Sequence, residues 1–191
     1  SNTKLLFISK NMHGQHLLSN EEFNVLECKN CKVTFTDVDA NSDFYNHYYP
    51  ENYYDKFQGN KLIEGLLGLL EKLSFKRKLG LILRHKPEGK RVLEIGWAQG
   101  KFLNDLPSTF KKFGVEINAN GRRYIQEHYP EITVYQDGIE SENFSGCSAK
   151  YDIILMWHVL EHIKDPSAFL QQLSSLLNKN GVFIFEVPNR N

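Results

Sequence analysis

Residues 92–103 constrain the fold more than any other part of the chain. They read Val-Leu-Glu-Ile-Gly-Trp-Ala-Gln-Gly-Lys-Phe-Leu. An apolar run that contains one acid, Glu94, leads into a turn built of small residues, and a second apolar segment follows. This pattern predicts a strand that runs through a tight loop into a helix. Small residues in such a loop let a ligand approach the backbone, and the start of the helix offers unpaired N–H groups to it.

The spacing of these small residues separates three kinds of nucleotide-binding loop. The dinucleotide fingerprint Gly-x-Gly-x-x-Gly, counted from Gly96, requires glycine where the chain has Ala98 and Lys101. The phosphate-binding loop requires four residues between its first glycine and its Gly-Lys pair, whereas only three separate Gly96 from Gly100. Both patterns fail, which disfavours an NAD-binding domain. The remaining pattern is an acid at Glu94 followed by small residues at every second position.

Predicted helices and strands alternate after the loop. Helices are expected over residues 101–106, 119–129 and 166–177, and strands over residues 113–117, 132–135, 151–157 and 182–187. Asp165 is placed to cap the last helix and Gly181 to stop it. Apolar strands that are separated by helices indicate an α/β fold, with a mostly parallel sheet and helices on both faces. Ligands of such sheets bind beyond the carboxyl ends of the strands.

The loop resembles the first motif of the class I S-adenosylmethionine (SAM)-dependent methyltransferases, acid-x-Gly-x-Gly-x-Gly, with Ala98 in place of the middle glycine. Residues 160–166, Leu-Glu-His-Ile-Lys-Asp-Pro, are similar to the segment after the fourth strand in one group of that family. This group includes ubiquinone-biosynthesis O-methyltransferases and zinc-ribbon-bearing sugar methyltransferases. The resemblance covers residues 85–191. It implies a Rossmann-like sheet, SAM as the methyl donor and a small-molecule acceptor.

The resemblance and the strand ends together suggest the site residues. A carboxylate at Glu116, near the end of the second strand of the sheet, can accept hydrogen bonds from a ribose diol. His158 could act as a general base, whereas Glu161 and His162 could pair with each other or with a metal, and we favour a structural role for them. The predicted cofactor contacts are Glu94, Gly96, Trp97, Ala98, Gly100, Glu116, Ile117, Asp137, Gly138, Trp157, Tyr53 and Tyr54.

Two of these assignments have alternatives that the sequence leaves open. Asp137 and Gly138 could bond an adenine amino group, or they could form an ordinary turn, since Asp-Gly favours turns for backbone reasons. Tyr53 and Tyr54 end an aromatic segment, residues 44–54, that is either a lid over the cofactor or a surface loop. In relatives of the family a tyrosine-rich segment is often found at this place.

The chain divides into three predicted segments: a small β or half-zinc-ribbon appendage over residues 1–40, a Tyr-rich lid and helix over 41–84, and the SAM-binding core over 85–191. Leucines at helical spacing predict an amphipathic helix over residues 61–84 that packs on the sheet and is interrupted near Ser74. The basic residues 72, 76, 77 and 78 are most simply a solvated face of this helix.

Cys28 and Cys31 have the spacing of half a zinc site, and one such pair cannot complete four-coordinate zinc. His13 and His16 could supply the other half, and related sugar methyltransferases use two cysteine pairs, yet we do not expect bound zinc in this chain. Cys147 is interpreted as an ordinary loop thiol. Three cysteines without a signal segment indicate a reducing, cytoplasmic location without disulfides.

Composition limits the partners. Lys and Arg number 23, as do Asp and Glu, so no net charge attracts nucleic acid. No apolar segment reaches the length of a membrane span.

The family's sheet has seven strands, whereas this chain ends after the fifth, which would leave an exposed apolar edge. We therefore expect either a fragment of a longer protein or a homo-oligomer that covers this edge.

Two functional classes follow from the sequence. The first is a small-molecule methyltransferase, with sugar or nucleotide-sugar acceptors ahead of quinones or phenols. The second is a SAM-binding module without catalysis. The motifs identify the cofactor far better than the acceptor, because the methyl donor is already activated and the protein chiefly has to position the acceptor.

Overall fold

The structure of the chain is a computed structural model that describes residues 2–10, 22–38, 61–86, 88–96, 100–117, 119–146 and 148–189. The chain clusters into two units, divided between residues 53 and 54. The long helix over residues 61–85 belongs to the second unit, together with the predicted SAM-binding core. The limits at residues 40 and 84, which the sequence suggested, stay predictions.

The first unit contains a three-stranded antiparallel sheet in the order β1-β2-β3. Its strands are β1 (Thr3–Lys10), β2 (Glu22–Cys28) and β3 (Thr34–Thr36). The turn between β2 and β3 is closed by two backbone hydrogen bonds, from Cys28 N to Val33 O at 2.9 Å and from Lys32 N to Cys28 O at 3.0 Å. Lys32 adopts a φ of +64°, in the left-handed region.

The second unit contains a five-stranded sheet in the order β6-β5-β4-β7-β8, in which every neighbouring pair is parallel. Its elements are α1 (Lys61–His85), β4 (Arg91–Ile95), α2 (Lys101–Asp105), β5 (Lys111–Val115), α3 (Ala119–His128), β6 (Thr133–Tyr135), β7 (Tyr151–Trp157), a 3-10 turn (Leu160–His162), α4 (Pro166–Leu176) and β8 (Leu177–Glu186). The predicted α/β, Rossmann-like fold class is confirmed.

Helices cover both faces of this sheet, because the central strands are apolar on both sides. On one face, Ile82 of α1, Leu103 of α2 and Ile125 of α3 pack in one cluster with side chains of β4 and β7. On the other face, Phe169 and Leu173 of α4 pack against the alternate side chains of the same strands. The sheet therefore has a hydrophobic core on each side, and the loops at the carboxyl ends of its strands lie along one edge.

Helix α1 differs from the prediction in two ways. It continues through Ser74 without the expected interruption. Its carboxyl-terminal half packs on the sheet, through Phe75, Leu79 and Ile82. In its amino-terminal half the side chains of Leu66, Leu69, Leu70 and Leu73 are all more than half exposed. Among the residues that the structure describes, no helix combines the length and apolar character that crossing a membrane requires.

The end of α4 and the start of β5 differ from the sequence prediction. Gly181 does not stop a helix, because α4 ends at Leu176 and Gly181 lies within β8. A Cβ there would lie 3.0 Å from Asn178 O and 3.1 Å from Tyr151 O, so the glycine permits a close approach of backbones. Strand β5 begins at Lys111, two residues before the predicted start, although charged side chains open it. Asp165 caps α4 as predicted, since its Oδ1 accepts a hydrogen bond from Ala168 N at 3.0 Å.

Candidate cofactor and active site

Gly96 is the first residue after β4 and the start of the small-residue loop. Its φ is +67°, and its N–H donates to Val115 O at 3.0 Å, which ties the loop to the end of β5. A Cβ at this position would lie 2.5 Å from Cγ2 of Val159, which follows β7. Glycine is therefore required here both by the left-handed backbone and by the close approach of a second loop.

The loop ends at Gly100, which is the N-cap of α2 and has a φ of +67°. No side chain caps this helix, and Gly100 itself is buried. The two glycines at the ends of the loop thus share a left-handed conformation, which the sequence analysis did not predict. Trp97 and Ala98, the predicted contacts between them, lie outside the described residues.

Glu94 places a carboxyl group in the core directly before the loop. The residue is only 2% exposed, and its Oε2 has no hydrogen-bond partner among the described residues. Burial raises the pKa of Glu94 to about 8, although the nearby Lys78 ammonium and Trp157 indole favour the ionised form. A buried acceptor without a partner is costly in a folded protein, so Glu94 is a candidate for hydrogen bonding to a ligand.

Trp157, at the end of β7, presents a donor beside this carboxyl group. The residue is 9% exposed, and its Nε1 also lacks a hydrogen-bond partner among the described residues. Phe102 of α2 packs edge-on against the indole, with ring centroids 5.7 Å apart. The Lys78 ammonium of α1 lies 4.2 Å from the indole centroid, which is within cation–π range. Burial lowers the pKa of Lys78, while the charges of Glu94 and Glu186 oppose that change.

Glu116 lies directly after β5, as the sequence suggested, and is 5% exposed. Its N–H donates to Tyr135 O at 3.1 Å, which fixes it against the end of β6. Arg122 of α3 holds the following turn, because its Nη1 donates to Glu116 O at 3.0 Å and to Ile117 O at 2.6 Å. The side chain of Ile117 is 65% exposed, so it forms an apolar surface at this edge of the sheet.

Asp137 and Gly138 follow β6 and are half-buried. A Cβ on Gly138 would lie 4.0 Å from Cγ2 of Ile117, so the loops after β5 and β6 are neighbours. The structure thus places these predicted contacts beside one another at the same edge of the sheet. Whether they bond an adenine or form only a turn stays open. Tyr53 and Tyr54 lie outside the described residues.

His158 follows β7 directly and has a φ of +56°, in the left-handed region that a non-glycine residue rarely adopts. Its N–H donates to Glu186 O at 2.8 Å, which ties the loop after β7 to the end of β8. Its ring nitrogens lie between two carboxylates, with Nδ1 3.8 Å from Glu161 Oε1 and Nε2 3.6 Å from Glu186 Oε1. The predicted base is thus an exposed imidazole whose ring nitrogens both face acids.

Cys28 ends β2, and Cys31 lies in the turn that follows. Hydrogen bonds from the backbone of Cys31 and Asn30 lower the pKa of the Cys28 thiol. The register pairs Cys28 with Thr3, at the end of the β1–β2 pair that lies away from Lys10 and Glu22. His13, His16 and Cys147 lie outside the described residues. Within the described part of the chain no cluster of three or more metal-ligating side chains is present.

The sequence interpretation missed three residues of the site, namely Arg77, Lys78 and Glu186. The basic cluster of α1 was assigned to a solvated face, which is wrong for Lys78, whereas Arg77 is exposed as predicted but also pairs with an acid of β8. Lys78 is half-buried against Trp157, and Arg77 donates from Nη2 to Glu186 Oε2 at 2.5 Å. The available signal was the position of Lys78 one helical turn before Ile82, which is buried.

Comparison with known proteins places this geometry in a family. A family model described as a methyltransferase domain matches residues 54–191. A ubiquinone biosynthesis O-methyltransferase of Actinobacillus pleuropneumoniae serotype 5b (strain L20) is 29% identical over 110 residues, which cover 53% of this chain and 47% of that protein. The chain therefore spans about half the length of the curated relatives that it matches.

Solved structures share the fold at low sequence identity. The SAM-bound amino pentose methyltransferase CalS10 from Micromonospora echinaspora superposes with a TM-score of 0.55 at 14% identity, over 70% of this chain and 58% of that one. The N-methyltransferase NodS from Bradyrhizobium japonicum WM9, in complex with S-adenosylhomocysteine, gives 0.51 at 19% identity, over 60% of each chain. Since the family model matches most of its length, the chain belongs to the methyltransferase domain family and has the class I fold of SAM-dependent methyltransferases.

Proposed function

We propose that the chain binds SAM at the carboxyl edge of its parallel sheet and transfers the methyl group to a small-molecule acceptor. The observation that carries this proposal is a pair of buried polar atoms beside the Gly96 loop, Glu94 Oε2 and Trp157 Nε1, which have no hydrogen-bond partner among the described residues. An acceptor and a donor that are both buried and unsatisfied fit the charged amino-acid end of such a cofactor.

The residues around this pair fit the rest of the cofactor. Glu94 accepts hydrogen bonds from an ammonium group, and Gly96 and Gly100 let the backbone lie against the ligand. Glu116, fixed at the end of β5, accepts from the ribose hydroxyls. Asp137 and Gly138, across from Ile117, bound the adenine side of the site. Trp97, Ala98, Tyr53 and Tyr54 complete the proposed contacts from segments outside the described residues.

The cofactor supplies a methyl group that is activated by a sulfonium. The work of the protein is to align the acceptor, exclude water and remove a proton when the acceptor is a hydroxyl or an acidic carbon. Bound SAM would supply the methyl group and leave as S-adenosylhomocysteine. In the proposed step a ring nitrogen of His158 takes the acceptor's proton and releases it to solvent.

A sugar or nucleotide-sugar is the proposed acceptor class, and a quinone or phenol hydroxyl is the alternative. The first is supported by the fold shared with an amino pentose methyltransferase, and the second by the relatedness to a ubiquinone-biosynthesis enzyme.

The proposed location is cytoplasmic. A homo-oligomer is proposed through β8, which is an edge strand of the sheet and has exposed Phe185 and Val187 at its end.

Calorimetry with S-adenosylhomocysteine tests the binding proposal. We expect the wild-type chain to bind, and Gly96→Ala to weaken binding about fivefold or more, since backbone strain of this kind costs roughly 1–3 kcal/mol. Gly80→Ala is the matched control, because a Cβ on Gly80 meets nothing within 4 Å and the residue lies on α1. Absence of binding by the folded wild-type chain would refute the proposal.

Transfer of a labelled methyl group to a panel of acceptors separates an enzyme from a binding module. The panel contains nucleotide-sugars, free sugars, quinols and phenols, each with and without the chain. Label in one acceptor class identifies the substrate type. A protein that binds S-adenosylhomocysteine yet labels no member of the panel would support the non-catalytic alternative.

A further inference from the structure

Glu186 is joined to His158 by its backbone and by its side chain. The two residues are adjacent across β7 and β8, because Trp157 pairs with Glu186 and the next N–H, that of His158, donates to Glu186 O at 2.8 Å. The left-handed φ of +56° at His158 then directs the chain away from the sheet. Strained backbone at a non-glycine residue is frequent at functional sites, where surrounding contacts hold it in place.

The carboxylate of Glu186 lies between a guanidinium group and an imidazole ring from different elements. Its Oε2 accepts from Arg77 Nη2 at 2.5 Å, and its Oε1 lies 3.6 Å from His158 Nε2. The hydrogen bond from Arg77 lowers the pKa of Glu186, so that this residue stays ionised. Arg77 lies 109 positions away in the sequence, so the packing of α1 on the sheet creates this contact.

Glu161 is the second acid that faces His158, and it can be compared with Glu186. Its Oε1 lies 3.8 Å from His158 Nδ1, and it belongs to the 3-10 turn that follows. The charged groups that face His158 are therefore Glu161 from the turn and Glu186 from β8, with Arg77 and Lys78 of α1 acting on Glu186. Of the two acids, Glu186 is fixed by Arg77 and by the His158 N–H, which suits it to hold a ring in one orientation.

We propose that Glu186, itself held by Arg77, positions His158 by accepting its Nε2–H, so that Nδ1 carries the lone pair that removes the acceptor's proton. This inference rests on the proposed methyl transfer, and it assigns positioning roles to two residues that do not touch the reacting atoms. A carboxylate that accepts one ring N–H fixes both the tautomer and the orientation of an imidazole. The present 3.6 Å separation is longer than a hydrogen bond, and catalytic contacts of this kind often shorten when ligands bind.

The ring nitrogens of His158 report this arrangement directly, without any acceptor. In protein labelled with 15N-histidine, at a pH where the imidazole is neutral, we expect Nε2 to resonate as a protonated nitrogen and Nδ1 as an unprotonated one. His158→Asn assigns the signals. In Glu186→Gln the two resonances should move toward each other as the tautomers mix, whereas Glu161→Gln, the matched control, should leave them in place.

Arg77→Ala should give a smaller change in the same direction, because the carboxylate loses its anchor, and Lys76→Ala on the same helix should give none. Thermal unfolding and calorimetry with S-adenosylhomocysteine accompany each variant, so that loss of fold or of cofactor binding is distinguished from loss of positioning. Unchanged resonances in Glu186→Gln, or equal changes in Glu161→Gln, would overturn the inference. Failure of wild type to bind S-adenosylhomocysteine would instead refute the proposed function and leave the tautomer result standing.

Discussion

Replacing Glu94 by glutamine tests whether the sheet carries a protonated carboxyl group in its core. The residue is 2% exposed, its Oε2 lacks a partner among the described residues, and burial raises its pKa to about 8. Glutamine keeps the shape of the side chain and cannot ionise. We expect the stability advantage of Glu94→Gln over wild type to grow steadily as the pH rises toward 8.

The sign and size of this effect follow from proton linkage. Between the ordinary pKa of 4.5 and about 8 the folded chain keeps a proton that the unfolded chain has released. The free energy of unfolding therefore falls as pH rises, and the loss is complete above the folded pKa. Each unit of pKa is worth about 1.4 kcal/mol, so the whole interval corresponds to roughly 5 kcal/mol. The part between about pH 5.5 and pH 8 comes to roughly 3 kcal/mol.

Urea unfolding at a series of pH values measures this directly. The wild-type curve of unfolding free energy against pH should slope downward relative to that of Glu94→Gln. Glu127→Gln, which removes an exposed carboxylate on α3, is the control and should run parallel to wild type. Parallel curves for wild type and Glu94→Gln over this range would show that the buried carboxyl group is not protonated, and the reasoning from its burial would be wrong.

Four further outcomes are expected. In the same unfolding series, the fall in the free energy of unfolding should extend to higher pH in Lys78→Met than in wild type, because the Lys78 charge favours ionised Glu94. Affinity for S-adenosylhomocysteine, measured by calorimetry, should rise from about pH 6.5 to pH 8, since binding an ammonium group requires Glu94 to lose its proton. Asp165→Ala should cost about 1 kcal/mol in urea unfolding, because Ala168 N loses its capping acceptor. Gly80→Ala should raise stability by roughly 0.5–1 kcal/mol, since a helix position with open space gains from alanine.

Short sequence patterns predicted the structure correctly where a feature depends on a single helix, strand or loop. The small residues from Gly96 to Gly100 predicted a tight loop between a strand and a helix, and these two glycines lie between β4 and α2. Asp165 followed by proline indicated a helix start, and its side chain caps α4. The prediction for Gly181 was wrong because the role of this residue depends on the backbone of another strand. A Cβ at Gly181 would contact Tyr151 O, which lies thirty positions earlier in the sequence.

The sequence by itself determined the α/β class, the small-residue loop and the positions of Glu116 and Asp137 after successive strands. These features depend on periodicity and on short-range backbone geometry. Only the tertiary structure decided that Val159 makes Gly96 irreplaceable and that Lys78 lies on Trp157. It also decided that Arg77 holds Glu186 beside His158. Each of these contacts joins residues from separate elements, and their proximity depends on how helices and loops pack across the sheet rather than on any pattern along the chain.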